Sequence, residues 1–269
     1  MSQLTRVAEE IVACRRCARL RAYCQRVARE KKSAHREEEY WGKPVPGFGD
    51  PRARVLILGL APAAHGANRT GRVFTGDGIG ASGDFLMAAL HRAGLSNLST
   101  SRHPDDGLRL RDCYIAATVR CAPPQNKPSP AEIAACAEHL DAEINALPNL
   151  RVVVALGKIA WDACFQHLAR RGVVVRPRPP FAHGASYTPQ LSTPSTLGTL
   201  GTLGTLGTLG TLGTLGTPGT RTRGTSGTPG TLGTLSLFAC YHPSRQNTNT
   251  GKVTAAMYDH LFEAVKRHV

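Results

Sequence analysis

The sequence is short of aromatic residues and of acids and has no long apolar run, and each shortage removes a class of protein. Phe, Trp and Tyr make up 6% of 269 residues, so the core is expected to be mostly aliphatic. Asp and Glu number 19 against 33 Lys and Arg, a formal net charge of +14. A surplus of that sign suits an anionic partner, and nucleic acid is the usual one. No apolar stretch approaches the ~20 residues of a membrane span, and the first residues lack the apolar segment of a secretory leader. The chain therefore reads as a cytoplasmic protein with no membrane partner; it is also expected to be a monomer. In a reducing compartment, its eight cysteines point to metal or redox chemistry rather than to disulfides. Both GxGxxG and the Gly-Lys-Ser/Thr phosphate-loop ending are missing, which weighs against an enzyme that cradles nucleotide phosphates.

Four short apolar runs read as buried strands: Arg54–Leu60, Cys113–Val119, Arg151–Gly157 and Leu235–Tyr241. Helical patterns separate them. "SPAEIAACAEHLDAEINAL" opens on a Ser-Pro-x-Glu start signal, "GKIAWDACFQHLARRG" runs to a glycine stop, and a last helix spans roughly 252–268. Strands alternating with helices predict an α/β fold with a parallel sheet covered on both faces, in one domain over 1–269. The segment from Leu4 to about Arg29 reads as helical and arginine-rich. Seven tandem Thr-Leu-Gly copies fill Thr196–Gly216, and degenerate copies continue to about Leu235. The stretch 192–235 is expected to be a low-complexity, disordered insertion without a catalytic role, because its glycines make ordering costly.

Ligands of open parallel sheets sit at the carboxyl ends of the strands. Here the first, second and fourth strands are followed by "APAAHGANRTGRVFTGD", "RCAPPQNKP" and "HPSRQNTNTGK". The first of these reads as one long loop, with Asp77 as its only acid. These three stretches resemble the signature loops of the family 5 (type b) uracil-DNA glycosylases, and the likeness runs from about Cys14 to the last helix, apart from the insertion. It implies a three-layer α/β/α sandwich around a four-stranded parallel sheet. It also implies hydrolysis of the bond between a damaged base and deoxyribose in DNA that contains uracil or another deaminated base.

A nucleotide whose base is to be removed must first leave the duplex. The resemblance then gives the residues roles. Phe74 is expected to stack on the extruded base, which is worth about 1–3 kcal/mol, with Gly59 and Ala61 around it; His65 and Asn68 are read either as holding a phosphate or the flipped nucleotide or as fixing the loop. His242 is expected to donate to the oxygen that gains charge as the base departs. Asp77 is read either as the group that orients the attacking water or as the cap of the next helix. The other iron–sulfur branch, family 4, carries an acid where this chain has Leu60 and an asparagine where it has Ala117. Asn126 is the expected substitute for reading the base edge, since an amide both donates and accepts. A looser pocket follows, one that accepts hypoxanthine among other bases. Ser244, Arg245 and Gln246 fit a loop pressed into the duplex, with Arg245 touching phosphate or filling the vacated stack.

"CRRC" supplies Cys14 and Cys17, read as two thiolates of one helical turn. Cys121 and Cys136 lie by the second loop and on the helix after it. By themselves these four fit zinc or an iron–sulfur centre; the resemblance assigns them to a [4Fe–4S] cluster with a structural role. Cys24, Cys113, Cys164 and Cys240 are read as ordinary buried thiols. A catalytically weak iron–sulfur protein that binds or senses damaged DNA is the alternative reading.

Overall fold

A computed structural model describes residues 1–189 and 235–269. The Thr-Leu-Gly insertion lies outside the described residues except at its last position. Leu235, where the insertion and the fourth apolar run meet, is buried in the core beside Leu237.

Six strands form one sheet: β1 (Phe48–Gly49), β2 (Val55–Gly59), β3 (Cys113–Ala117), β4 (Val152–Leu156), β5 (Ser186–Tyr187) and β6 (Ser236–Cys240), in the order β1-β3-β2-β4-β6-β5. The four inner strands are parallel and coincide with the four apolar runs of the sequence. All are buried on both faces, which explains their continuous hydrophobicity. The two edge strands are antiparallel pairs of two residues, too short to leave a pattern in the sequence.

The period of two divides the sheet into two faces. Ile57, Ile115, Val154 and Phe238 face the helices α4 (Ser82–Arg92) and α8 (Ala255–Lys266), meeting Leu86, Leu90, Leu261 and Phe262. Leu56, Leu58, Val153 and Leu237 face α5 (Pro130–Asn145) and α6 (Lys158–Arg170), meeting Leu140, Trp161, Phe165 and Leu168. Each such side chain contributes about 1.5–3 kcal/mol by leaving water. The result is a three-layer α/β/α sandwich. Its α5 starts where the sequence predicts: Ser129 Oγ accepts the Glu132 amide at 3.2 Å, and Glu132 Oε2 accepts the Ser129 amide at 2.7 Å.

The arginine-rich start is two helices, not one. α1 (Gln3–Ala13) packs on α5 through Val7, Ile11 and Ala146, and α2 (Ala18–Glu30) follows after a break. The register pairs Gly59 with Ala117 and Leu156 with Cys240, so the carboxyl ends of all four inner strands finish on one rim. Behind that rim, the buried Arg120 and Glu143 form an ion pair at 2.7 Å, and Glu143 also accepts from Tyr114 Oη and the Gly47 amide. This pair fixes the start of the segment that follows β3.

Candidate active site

A cleft of about 740 Å³ opens on the carboxyl rim. It is lined by the segment after β2, by Pro123, Gln125 and Asn126 after β3, and by His242, Ser244 and Arg245 after β6. Three segments far apart in the chain therefore meet at one place, as the strand ends require.

The segment after β2 is not the single loop the sequence predicts. It carries a short helix, α3 (Ala67–Thr70), and two buried arginines fasten it. Arg69 donates to the His65 carbonyl at 2.9 Å and the Gly76 carbonyl at 2.7 Å, and it pairs with Glu38. Arg72 donates to Thr75 Oγ1 at 2.9 Å, the Pro104 carbonyl at 2.8 Å and Asp106 at 2.7 Å. Such charge-assisted bonds, with Ala67 and Val73 packed into the core, hold the wall rigid.

On that wall Phe74 sits with φ at 52°, a left-handed conformation that strains a bulky residue. Two glycines make it possible. A Cβ on Gly59 would lie 3.0 Å from the Phe74 ring, and one on Gly83 would lie 2.4 Å from the Phe74 carbonyl oxygen. Gly59 thus serves from beneath the ring, while Leu60 and Ala61 line the cleft. The Phe74 and His242 rings lie 6.0 Å apart between centroids and 29° from parallel.

His242 shows part of its ring to the cleft, yet protein encloses most of it, and this burial lowers its pKa to about 4. The imidazole is therefore neutral at pH 7 and keeps one N–H to donate. Asp77 is in the opposite position: burial raises its pKa to about 6, against the pull of Arg69. Its Oδ1 is buried and has no hydrogen-bond partner among the described residues. A Cβ on Gly66 would stand 1.6 Å from that oxygen, so the carboxylate is pressed directly over the glycine. Asp77 does not cap α4. Ala81 holds the N-cap position without a side-chain bond, and Asp84 instead accepts the Gly80 amide at 3.1 Å.

On the facing wall, Gln125 and Asn126 adopt φ values of 54° and 57° in a 3₁₀ turn, closed by the Asn126 amide on the Pro123 carbonyl at 3.1 Å. Asparagine tolerates that backbone and glutamine does so at a cost. The Asn126 side chain is exposed at the cleft. Ser244 caps α7 (Arg245–Asn249) by accepting the Asn247 amide at 3.3 Å.

Not every expected residue gathers here. Asn68 is fully buried away from the cleft, its amide donating to the carbonyls of Cys24 at 3.3 Å and Ala64 at 3.4 Å, so it fastens the wall rather than a ligand. Gln246 is exposed on α7 outside the cleft lining. His65 reaches the rim, where Nδ1 meets Tyr40 Oη at 3.1 Å and burial depresses its pKa. Sequence reasoning missed Tyr23, Lys32, His35 and Gln125, which also line the cleft. Only Tyr23 left a signal: with Leu20, Cys24 and Val27 it forms a helical apolar stripe.

Cys14 and Cys17 bracket the break between α1 and α2 instead of sharing a helical turn. Cys17, Cys121 and Cys136 enclose one apolar cluster with Leu20 and Val119, and Ala61 and Tyr23 pack on it from the cleft side. Burial and the thiols of Cys136, Cys121 and Cys14 raise the pKa of Cys17 to about 11. All eight cysteines are free, and Cys24, Cys113, Cys164 and Cys240 are buried as expected. Among the described residues no group of three or more His, Cys, Asp or Glu is placed to hold a metal ion.

A largely parallel sheet with a walled cleft at its carboxyl rim is the arrangement in which α/β proteins bind their ligands. The family model described as the uracil DNA glycosylase superfamily matches residues 46–266, and the chain belongs to that superfamily. A Type-5 uracil-DNA glycosylase from Thermus thermophilus is 43% identical over 259 residues, 96% of this chain and 95% of that protein. Another from Mycobacterium tuberculosis is 42% identical over 258 residues, 96% of this chain and 78% of its own length. A Type-4 uracil-DNA glycosylase from Pyrobaculum aerophilum is 34% identical over 134 residues, covering 49% of this chain and 59% of the relative.

Proposed function

We propose that the protein is a DNA repair enzyme that hydrolyses the N-glycosidic bond of uracil in DNA and leaves an abasic site. The observation that carries this reading is the meeting of Phe74, Asp77, Asn126 and His242 in one cleft, in a chain with full-length relatives named Type-5 uracil-DNA glycosylase. Phe74 offers a flat apolar surface for the extruded base, and Asn126 an amide for its edge. Water attacks C1′ as the C1′–N1 bond breaks. The bonding pair passes to uracil, whose developing negative oxygen receives the N–H of neutral His242. Asp77, ionised at pH 7, orients the water and takes its proton. Leu60 and Ala117 leave apolar lining at two further points of the cleft. The pocket therefore grips uracil less selectively and admits other deaminated bases, hypoxanthine included.

We also infer that Cys14, Cys17, Cys121 and Cys136 hold a [4Fe–4S] cluster. Cys136, Cys121 and Cys14 act electrostatically on the Cys17 thiol, yet among the described residues no set closes on a single ion. A centre in which each thiolate bonds its own iron needs wider spacing than zinc does. When bound, the cluster supplies four metal–thiolate bonds that tie α1 and α2 to the wall bearing Asn126.

The test of the activity is a duplex holding one uracil, treated with the purified protein and then with alkali. Wild type is expected to yield strand scission, and His242→Ala to slow the single-turnover rate about 10²–10³-fold. Tight binding by wild type without abasic product would overturn the reading in favour of a damage-binding protein.

A further inference from the structure

Ile79 has no role in the chemistry above and no visible role in the fold. It is 78% exposed, a β-branched aliphatic side chain next in the chain to the cleft-lining Gly78. Gly78, at φ 97°, precedes it and lines the cleft, and Gly80, at φ 67°, follows it. A Cβ on Gly80 would meet nothing within 4 Å. Glycine is there for the turn it permits, and that turn lifts one apolar side chain away from the protein.

The tip is nevertheless held. The Ile79 carbonyl accepts Arg245 Nη2 at 3.1 Å, and the next amide, that of Gly80, donates to Asp84 Oδ2 at 3.1 Å. Asp84 is in turn paired with Arg102 at 3.1 Å. Arg245 belongs to the segment after β6, so the bond joins two of the three walls at the point where Ile79 projects. The guanidinium expected to touch phosphate or to fill the vacated stack is thus already engaged at the tip, and the apolar group beside it is Ile79.

We infer that Ile79 is a wedge that enters the base stack of double-stranded DNA and keeps open the gap left by the extruded nucleotide, with Arg245 bracing the tip. Apolar side chains on projecting loops separate stacked bases in this manner, and the unstacking they assist is the costly step in presenting a paired base. Ile79 is a positioning residue and touches no reacting atom. The inference rests on the proposal that uracil in DNA is the substrate.

The experiment is single-turnover uracil release by the full-length protein from two DNAs of the same sequence. In one the uracil is paired; in the other it lies in an unpaired bubble, where little stacking remains to be broken. Ile79→Ala is expected to lose at least tenfold on the paired substrate and less than twofold on the bubble, and Ile79→Leu to recover most of the loss. A 2-aminopurine beside the paired uracil should brighten on mixing with wild type and stay quenched with Ile79→Ala. Equal losses on both DNAs, or none on the paired one, with wild type active, would overturn the wedge alone. Failure of wild type to release uracil from either DNA would overturn the functional reading and the wedge with it.

Discussion

Asp77 and His242 are pushed out of their ordinary ranges by burial in opposite directions, and the pH dependence of the protein follows from that pair. Asp77 has a pKa of about 6 in the fold, against 3.8 ordinarily. His242 has a pKa of about 4, against 6.5. The histidine stays neutral through the working range, so the acid limb of kcat/KM should fall near pH 6 and report Asp77. Asp77→Asn should remove that limb along with most of the rate. Gly66→Ala should act on the same group, because its Cβ would displace the Asp77 carboxylate; we expect at least a tenfold drop in kcat/KM. Stability carries the reverse sign. A raised carboxyl pKa stabilises the fold only when the group is protonated, and this gain disappears as pH rises through 6. Asp77→Asn should therefore melt higher than wild type at pH 7, with the advantage vanishing towards pH 4. A limb that persists at pH 6 in Asp77→Asn would assign it to another group.

At the scale of elements, the sequence carried the inner strands and the helices packed on them, because burial on two faces writes continuous apolar runs and burial on one face writes a helical stripe. It did not carry β1 and β5, whose two residues each cannot show a period. Nor did it carry the separation of α1 from α2, since "CRRC" interrupts a stretch whose flanks both favour helix. The candidate site was legible to the same extent. Phe74, Asp77, Asn126 and His242 stand out in polar segments at strand ends, but direction is not written there: Asn68 looks like its neighbours and points inward. Arg69 and Ile79 escaped because their meaning lies in contacts across the chain. The helix break also carries a prediction. If Cys14 and Cys17 flank it in order to hold a cluster, protein purified without oxygen should contain about four irons and four sulfides per chain. Cys17→Ser should lose most of that iron and become cleavable by protease between α1 and α2. A protein free of iron after anaerobic purification would remove the cluster from this account.

Over the whole molecule, acids neutralise only part of the basic surface. At the surface Arg16, Arg54, Arg92 and Arg170 have carboxylate partners, yet a surplus of 14 positive charges remains over the chain. Lys32 and Arg245 bring part of it to the cleft. The groups assigned to the chemistry behave differently: Phe74 and Asn126 carry no charge, His242 is neutral at pH 7, and the one ionised group, Asp77, is buried. Binding and catalysis should therefore separate by ionic strength. Neutralising even three phosphates makes log K fall with a slope of about −2.7 against log salt, roughly a 40-fold loss between 50 and 200 mM. On uracil-containing duplex, KM should rise by at least that factor across this range while kcat stays constant. Salt screens exposed charge strongly and buried dipoles weakly. A flat KM would mean that the basic surplus faces something other than DNA. A falling kcat at constant KM would place an exposed charge among the catalytic groups, contrary to a step carried by a neutral imidazole and a buried carboxylate.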